Sequence, residues 1–207
     1  MTPDQRLQYA QVISKYVPET TIHKVVDWVE HYRFKLKITR ARSTKLGDFM
    51  NSTGNSLHQI TVNHDLNPYS FFITLVHEVA HLATYNQYKH TVKPHGDEWK
   101  FSFKILMQPF LTTDVFPTDV LTELRRMLAN PTASCTDVAL QRVLRNYNAD
   151  AHSLEFTLIE NLFEGQQFEF KEQRFLIKEI RRKRYLCLSL DTQKEYSFSP
   201  LAEVRMC

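Results

Sequence analysis

Two histidines four residues apart bracket a glutamate in the run His77-Glu78-Val79-Ala80-His81. On a helix, residues at this spacing lie on one face, one turn above each other. Both imidazoles can then be offered to a single metal ion. Glu78 stands about 100° around the helix from His77. That places its carboxylate within reach of a metal-held water but off the ligating face. The metal lowers the pKa of such a water toward ~7, and the carboxylate takes the proton as the nucleophile forms. The pattern is that of a hydrolytic zinc site.

A catalytic zinc keeps three protein ligands and one open position. The spacing leaves three candidates for the third ligand. His95 follows a loop and is flanked by Pro94 and Gly96, which suit a chain turning back; His90 is nearer, in a less constrained stretch; Glu98 would complete a set of two histidines and one carboxylate. The longer metzincin pattern is excluded, because Thr84 and Gln87 stand where it needs glycine and histidine.

The elements that must position these groups can be read from periodicity. Residues 3–15 read as a helix with Leu7, Ala10 and Ile13 at helical spacing, and Pro18 opens a second helix with the stripe Ile22, Val25, Val26 and Val29. In Arg33-Phe34-Lys35-Leu36-Lys37-Ile38 the period changes to two, that of a half-buried strand. Further strands are expected over 44–50 and 57–63, with a turn at 51–55, giving a small three-stranded antiparallel sheet. Helical periodicity returns over 69–88, with Phe72, Leu75, Val76, Val79, Ala80 and Ala83 on one broad apolar side. The metal motif lies inside this helix. Helices are also expected over 99–107, 118–129 and 136–147, with Phe71, Phe72, Phe101 and Phe103 assigned to the core.

Near residue 150 the pattern shifts to short strands: 155–159, 167–170, 174–177, 184–190 and 194–198. The expected organisation is α+β, with one domain over 1–149 and a small β-rich appendage over 150–207. The 207 residues are 43% hydrophobic and 24% charged, as in soluble globular chains. Only 4 residues are glycine, and no phosphate-binding glycine loop is present. Cys135, Cys187 and Cys207 are odd in number and widely spaced, which fits free thiols in a reducing compartment. The first 17 residues lack an apolar signal core, and no run approaches the ~20 apolar residues of a membrane span. The expected location is cytoplasmic, with no membrane partner.

The run His77-Glu78-Val79-Ala80-His81, followed by His95-Gly96-Asp97-Glu98-Trp99-Lys100, resembles the SprT-like family, which includes bacterial SprT and Spartan-type proteins. Ala41-Arg42-Ser43-Thr44-Lys45-Leu46-Gly47 and Ile60-Thr61-Val62-Asn63 look like that family's two strands before the metal helix. The likeness covers roughly residues 5–110. It implies a zincin-like peptidase domain with His77, His81 and His95 as zinc ligands and Glu78 as general base. It also implies protein substrates bound or crosslinked to DNA. Many bacterial members end in a four-cysteine zinc ribbon, which three distant cysteines cannot build.

Two basic stretches bear on a DNA partner. Arg33, Lys35, Lys37, Arg40, Arg42 and Lys45 have no acidic residue among them, and Arg181-Arg182-Lys183-Arg184 precedes a strand. Both can meet phosphates, and both equally suit a solvated sheet face or turn. The competing reading is a non-catalytic nucleic-acid-associated or regulatory protein with a structural zinc. Glu78 counts against it, because a structural site has no use for an unliganded carboxylate beside the metal. His23, His31, His58, His64 and His152 are expected at the surface or in ordinary polar roles.

Overall fold

A computed structural model describes residues 1–42, 44–52, 56–131, 137–149, 156–182 and 184–207. The chain divides into two compact units, Met1–Ala149 and Asp150–Cys207. The first is built of helices around a three-stranded sheet, and the described residues of the second form a six-stranded sheet with one 3-10 turn, Ile159–Asn161.

Helix α1 (Pro3–Ile13) starts at a capping box, in which Thr2 and Gln5 satisfy each other's backbone donors. Pro18 opens a 3-10 turn, Glu19–Thr21, before α2 (Ile22–Tyr32) begins. Helix α2 ends where Arg33 takes a left-handed conformation, φ 52°. The chain then enters β1 (Phe34–Thr39), β2 (Gly47–Met50) and β3 (His58–Asn63).

The sheet order is β1-β3-β2, and the all-antiparallel expectation is corrected. Strand β2 is antiparallel to β3, but β1 is parallel to it, with Leu36 opposite Ile60 and Ile38 opposite Val62. Burial explains the order. Strand β3 is buried from Ile60 to Asn63 and takes the centre, whereas β1 alternates buried and exposed residues and suits an edge. The β2–β3 connection occupies one side of β3, so β1 is left with the other. Thr39 lies opposite Asn63 and Gly47 opposite Val62, so β1 ends and β2 begins at the same end of β3.

Helix α3 (Pro68–Tyr88) has Asn67 as N-cap, its side chain accepting from the Ser70 amide at 3.0 Å. The other half of that amide donates to Leu144 O and Asn148 Oδ1, tying the helix start to a distant turn. An unbroken buried run from Phe71 to Ala80 shows the helix to be enclosed on all sides, not apolar on one side. Helices α4 (Asp97–Met107), α5 (Thr118–Ala129) and α6 (Val138–Arg145) complete the unit. Trp28, Phe72, Phe110 and Phe116 form the aromatic centre of the core. Phe103 is 1% exposed but Phe101 is 66% exposed, which corrects its core assignment. Two residues apart on a helix point about 200° apart, so only one of them faces inward.

The second unit runs through β4 (Thr157–Leu158), β5 (Gln167–Phe170), β6 (Gln173–Arg181), β7 (Arg184–Ser189), β8 (Glu195–Phe198) and β9 (Glu203–Met206). Its order is β4-β9-β5-β6-β7-β8, antiparallel throughout, with a bulge in β6 between Ile177 and Glu179. Strand β9 is absent from the sequence reading because it buries one side chain, Val204. Phe168, Phe175, Ile177, Cys187 and Phe198 fill the core.

Cys187 is fully buried, which pushes its thiol up to about 12, and Cys207 is exposed. Cys135 lies outside the described residues. In a Cys135→Ser background, a maleimide at pH 8 should label Cys207 rapidly and Cys187 only after unfolding, because the thiolate is the nucleophile. Equal labelling rates in the native protein would contradict the buried placement. No helix among the described residues is long and apolar enough to cross a membrane.

Candidate metal centre

Helix α3 presents His77 and His81 one turn apart, as their spacing requires. The chain leaves the helix through Lys89 at φ 55°, passes a short loop, and turns back through His95 at φ 58°. Pro94 and Gly96 are the residues expected to let the chain turn back; of these, Gly96 has φ −68° and caps α4. Histidine is among the side chains that tolerate the left-handed region best. This turn brings the His95 ring back onto α3.

The three Nε2 atoms form a triangle. His81 Nε2 is 3.2 Å from that of His77 and 2.9 Å from that of His95, and the third side is 3.2 Å. A tetrahedral zinc with bonds of about 2.0–2.1 Å sets its ligand nitrogens roughly 3.3 Å apart. Mutual hydrogen bonds do not account for the triangle. Each Nε2 carries one proton or one lone pair, so it serves one neighbour and not two. The donor set therefore fits a metal ion, and these three residues are a metal-capable cluster among the described residues. Burial pushes His77 down to about 3 and His81 to about 4, with the neighbouring imidazoles adding to it, and burial also lowers His95. Neutral imidazole is the form that ligates.

His90 and Glu98 are not in the cluster. His90 is exposed against Tyr85, and Glu98 sits in the first turn of α4 near Gly96. His23, His31 and His64 are exposed, His58 Nδ1 accepts from the Ser52 amide, and His152 is outside the described residues.

Trp99, 1% exposed, backs all three histidines, with ring centroids 4.6, 5.3 and 4.7 Å from those of His77, His81 and His95. Its indole N–H donates to the His77 carbonyl at 3.4 Å. Only one other tryptophan is present, Trp28. Loading with Co²⁺ should therefore quench emission in Trp28→Phe and leave emission unchanged in Trp99→Phe. Quenching that persists without Trp99 would place the ion elsewhere.

Glu78 is 7% exposed beside this triangle. Burial, then the charge of Asp48, pushes its carboxyl up to about 8; the Phe49 amide donating to it, Lys45 and Arg42 pull the other way. Gly47 packs directly on this side chain: a Cβ there would lie 2.8 Å from Glu78 Oε1 and 2.7 Å from Thr74 Cγ2. The sequence reading did not assign Gly47, Asp48 or Phe49 to the site. Its one available signal was a glycine opening a strand in a glycine-poor chain, which often marks close backbone approach.

The basic run 33–45 divides. Arg33, Lys35, Lys37, Arg40 and Lys45 are exposed, with Lys45 paired to Asp48 at 2.8 Å, whereas Arg42 is half-buried and its Nε donates to Asn63 Oδ1. In the second unit Arg181, Arg182 and Arg184 are exposed, with Arg181 paired to Glu179; Lys183 is outside the described residues.

These features define an α+β domain whose central helix carries a candidate metal centre. The SprT-like family model matches residues 9–120, and the chain belongs to the SprT-like family. Membership marks this stretch as a metallopeptidase-like domain and carries it past α4 into the start of α5. No curated protein and no solved structure matches the chain.

Proposed function

We propose that the chain is a zinc-dependent peptidase with a zincin-like first domain, 1–149, and an accessory β domain, 150–207. The observation that carries this reading is the Nε2 triangle of His77, His81 and His95 with the Glu78 carboxyl packed beside it. These histidines would hold the ion. Zinc held there supplies a Lewis acid that polarises a peptide carbonyl and acidifies water.

The chain's own residues then do the following. Glu78 takes a proton from the attacking water as the water oxygen bonds to the carbonyl carbon. It gives that proton to the departing amide nitrogen as the C–N bond breaks, so the carboxylate is regenerated. The Phe49 amide and Gly47 fix where the carboxyl sits. Strand β2 lies at the edge of its sheet beside Glu78, a placement suited to receiving an extended peptide as an added strand.

DNA-associated or DNA-crosslinked proteins are the proposed substrates. Exposed Arg33, Lys35, Lys37 and Arg40 in the first unit, and Arg182 and Arg184 in the second, offer phosphate contacts. The cysteine pattern supports a reducing, cytoplasmic setting. The test is cleavage of casein and of a protein crosslinked to single-stranded DNA by the zinc-loaded chain. Cleavage that stops on chelation supports the proposal. Salt-sensitive DNA binding with neither substrate cut would favour the structural-zinc alternative.

A further inference from the structure

We propose that Arg42, latched by Asn63, is a positioning residue for Glu78. The inference rests on Glu78 being the general base.

Asn63 closes β3 and is 1% exposed. Its side chain is committed to the turn between β1 and β2. Its Oδ1 accepts from Arg42 Nε at 2.8 Å and from Thr39 Oγ1 at 3.3 Å. Its Nδ2 donates to the carbonyls of Arg42 and Lys45 at 3.2 and 3.1 Å. Its backbone amide bonds to Leu46 O. One buried amide thus fixes the turn at three residues. Two positions later the chain reaches Gly47, where a Cβ would collide with the Glu78 side chain. Phe49 follows with the amide that the carboxyl accepts.

The register explains why that amide is free to do so. Asn63 N bonds Leu46 O, so residues 46, 48 and 50 exchange bonds with β3. Gly47 and Phe49 then turn their backbone groups away from β3, and the Phe49 amide meets Glu78.

Arg42 itself is not spent on stability. Its Nη2 is buried and has no partner among the described residues. Leaving a buried charged donor unmade is costly. A guanidinium whose only role was to hold the turn would be fully bonded. Arg42 therefore serves the site and not the turn alone: its Nε–H holds Asn63 Oδ1, and Asn63 holds the turn that seats Gly47 and Phe49 against Glu78.

The test has two readouts on the full chain. In metal-free protein, exchange of the Phe49 amide reports whether the seat is intact. With zinc and casein, kcat and KM report whether Glu78 is placed. Removing a supporting partner of a site typically costs about 10–100-fold. Arg42→Gln should speed Phe49 exchange and lower kcat by roughly tenfold or more, with KM within about twofold and zinc content kept. Arg42→Lys, which keeps a cation but loses the Nε–H that Asn63 accepts, should show the same loss as Arg42→Gln. Gly47→Ala should lower kcat with zinc retained, since its methyl displaces Glu78. Unchanged Phe49 exchange in Arg42→Gln would overturn the proposal. So would a wild-type kcat in Arg42→Lys, or a kcat loss in Arg42→Gln that is accompanied by lost melting temperature. If the wild-type chain cleaves nothing, the peptidase reading fails, and Phe49 exchange still decides whether Arg42 sets the Glu78 seat.

Discussion

Glu78→Gln should lower kcat by about 10²–10⁴-fold, the range for a positioned general base, while zinc content stays at the wild-type level. The substitution is nearly isosteric. The amide fits the space left by Gly47 and Thr74, and its oxygen can still accept from Phe49. What it lacks is basicity: a neutral amide does not take a proton from water. It does not ligate, because the metal-capable cluster comprises His77, His81 and His95. A parallel fall in kcat and kcat/KM is expected, the mark of a group needed only in the transition state. Hydrolysis at the wild-type rate in Glu78→Gln would remove Glu78 from the mechanism and leave the metal cluster standing.

The second large effect is on stability. An ion that binds the folded chain and not the unfolded one stabilises it by RT ln(1 + [L]/Kd), about 4.1 kcal/mol at a thousandfold excess over Kd. A kilocalorie shifts the melting temperature by about 2–4 °C in a chain of this size. Free zinc at that excess should therefore raise the melting temperature by roughly 10 °C, and EDTA should reverse it. His77→Ala, His81→Ala and His95→Ala should each lose most of the increment. The three should behave alike, because their Nε2 atoms stand at equivalent corners 2.9–3.2 Å apart. An increment that survived in His95→Ala would reduce the site to the two histidines of α3.

The parts of the site that lie along one helix were legible in the sequence. His77, Glu78 and His81 owe their relation to the 3.6-residue period, which does not depend on the rest of the fold. His95 was one of three open choices by spacing, and the resemblance selected it. What separates it from His90 is the left-handed turn at His95 itself, which no periodicity encodes.

The seat of Glu78 was not legible, because it depends on strand register. Alternation in β1 reads the same whether its neighbour runs parallel or antiparallel, so the direction of β1 against β3 was misjudged. The central place of β3, and with it the reach of Asn63 to Arg42 and Lys45, follows only once all three strands are assembled. Arg42 was therefore grouped with the solvent-facing lysines of β1, although it is half-buried against Asn63. The enclosure of α3 was hidden for a related reason. His77, Glu78 and Thr84 are buried polar residues in a helix, and they made it look amphipathic.

The most direct test is the metal content of the purified chain, by elemental mass spectrometry, beside His77→Ala and His95→Ala. The proposed centre requires about one zinc per chain, as three histidines and an open position provide, and less in both variants. A wild-type chain that holds no zinc after reconstitution, or a His95→Ala chain that holds as much as the wild type, would contradict it.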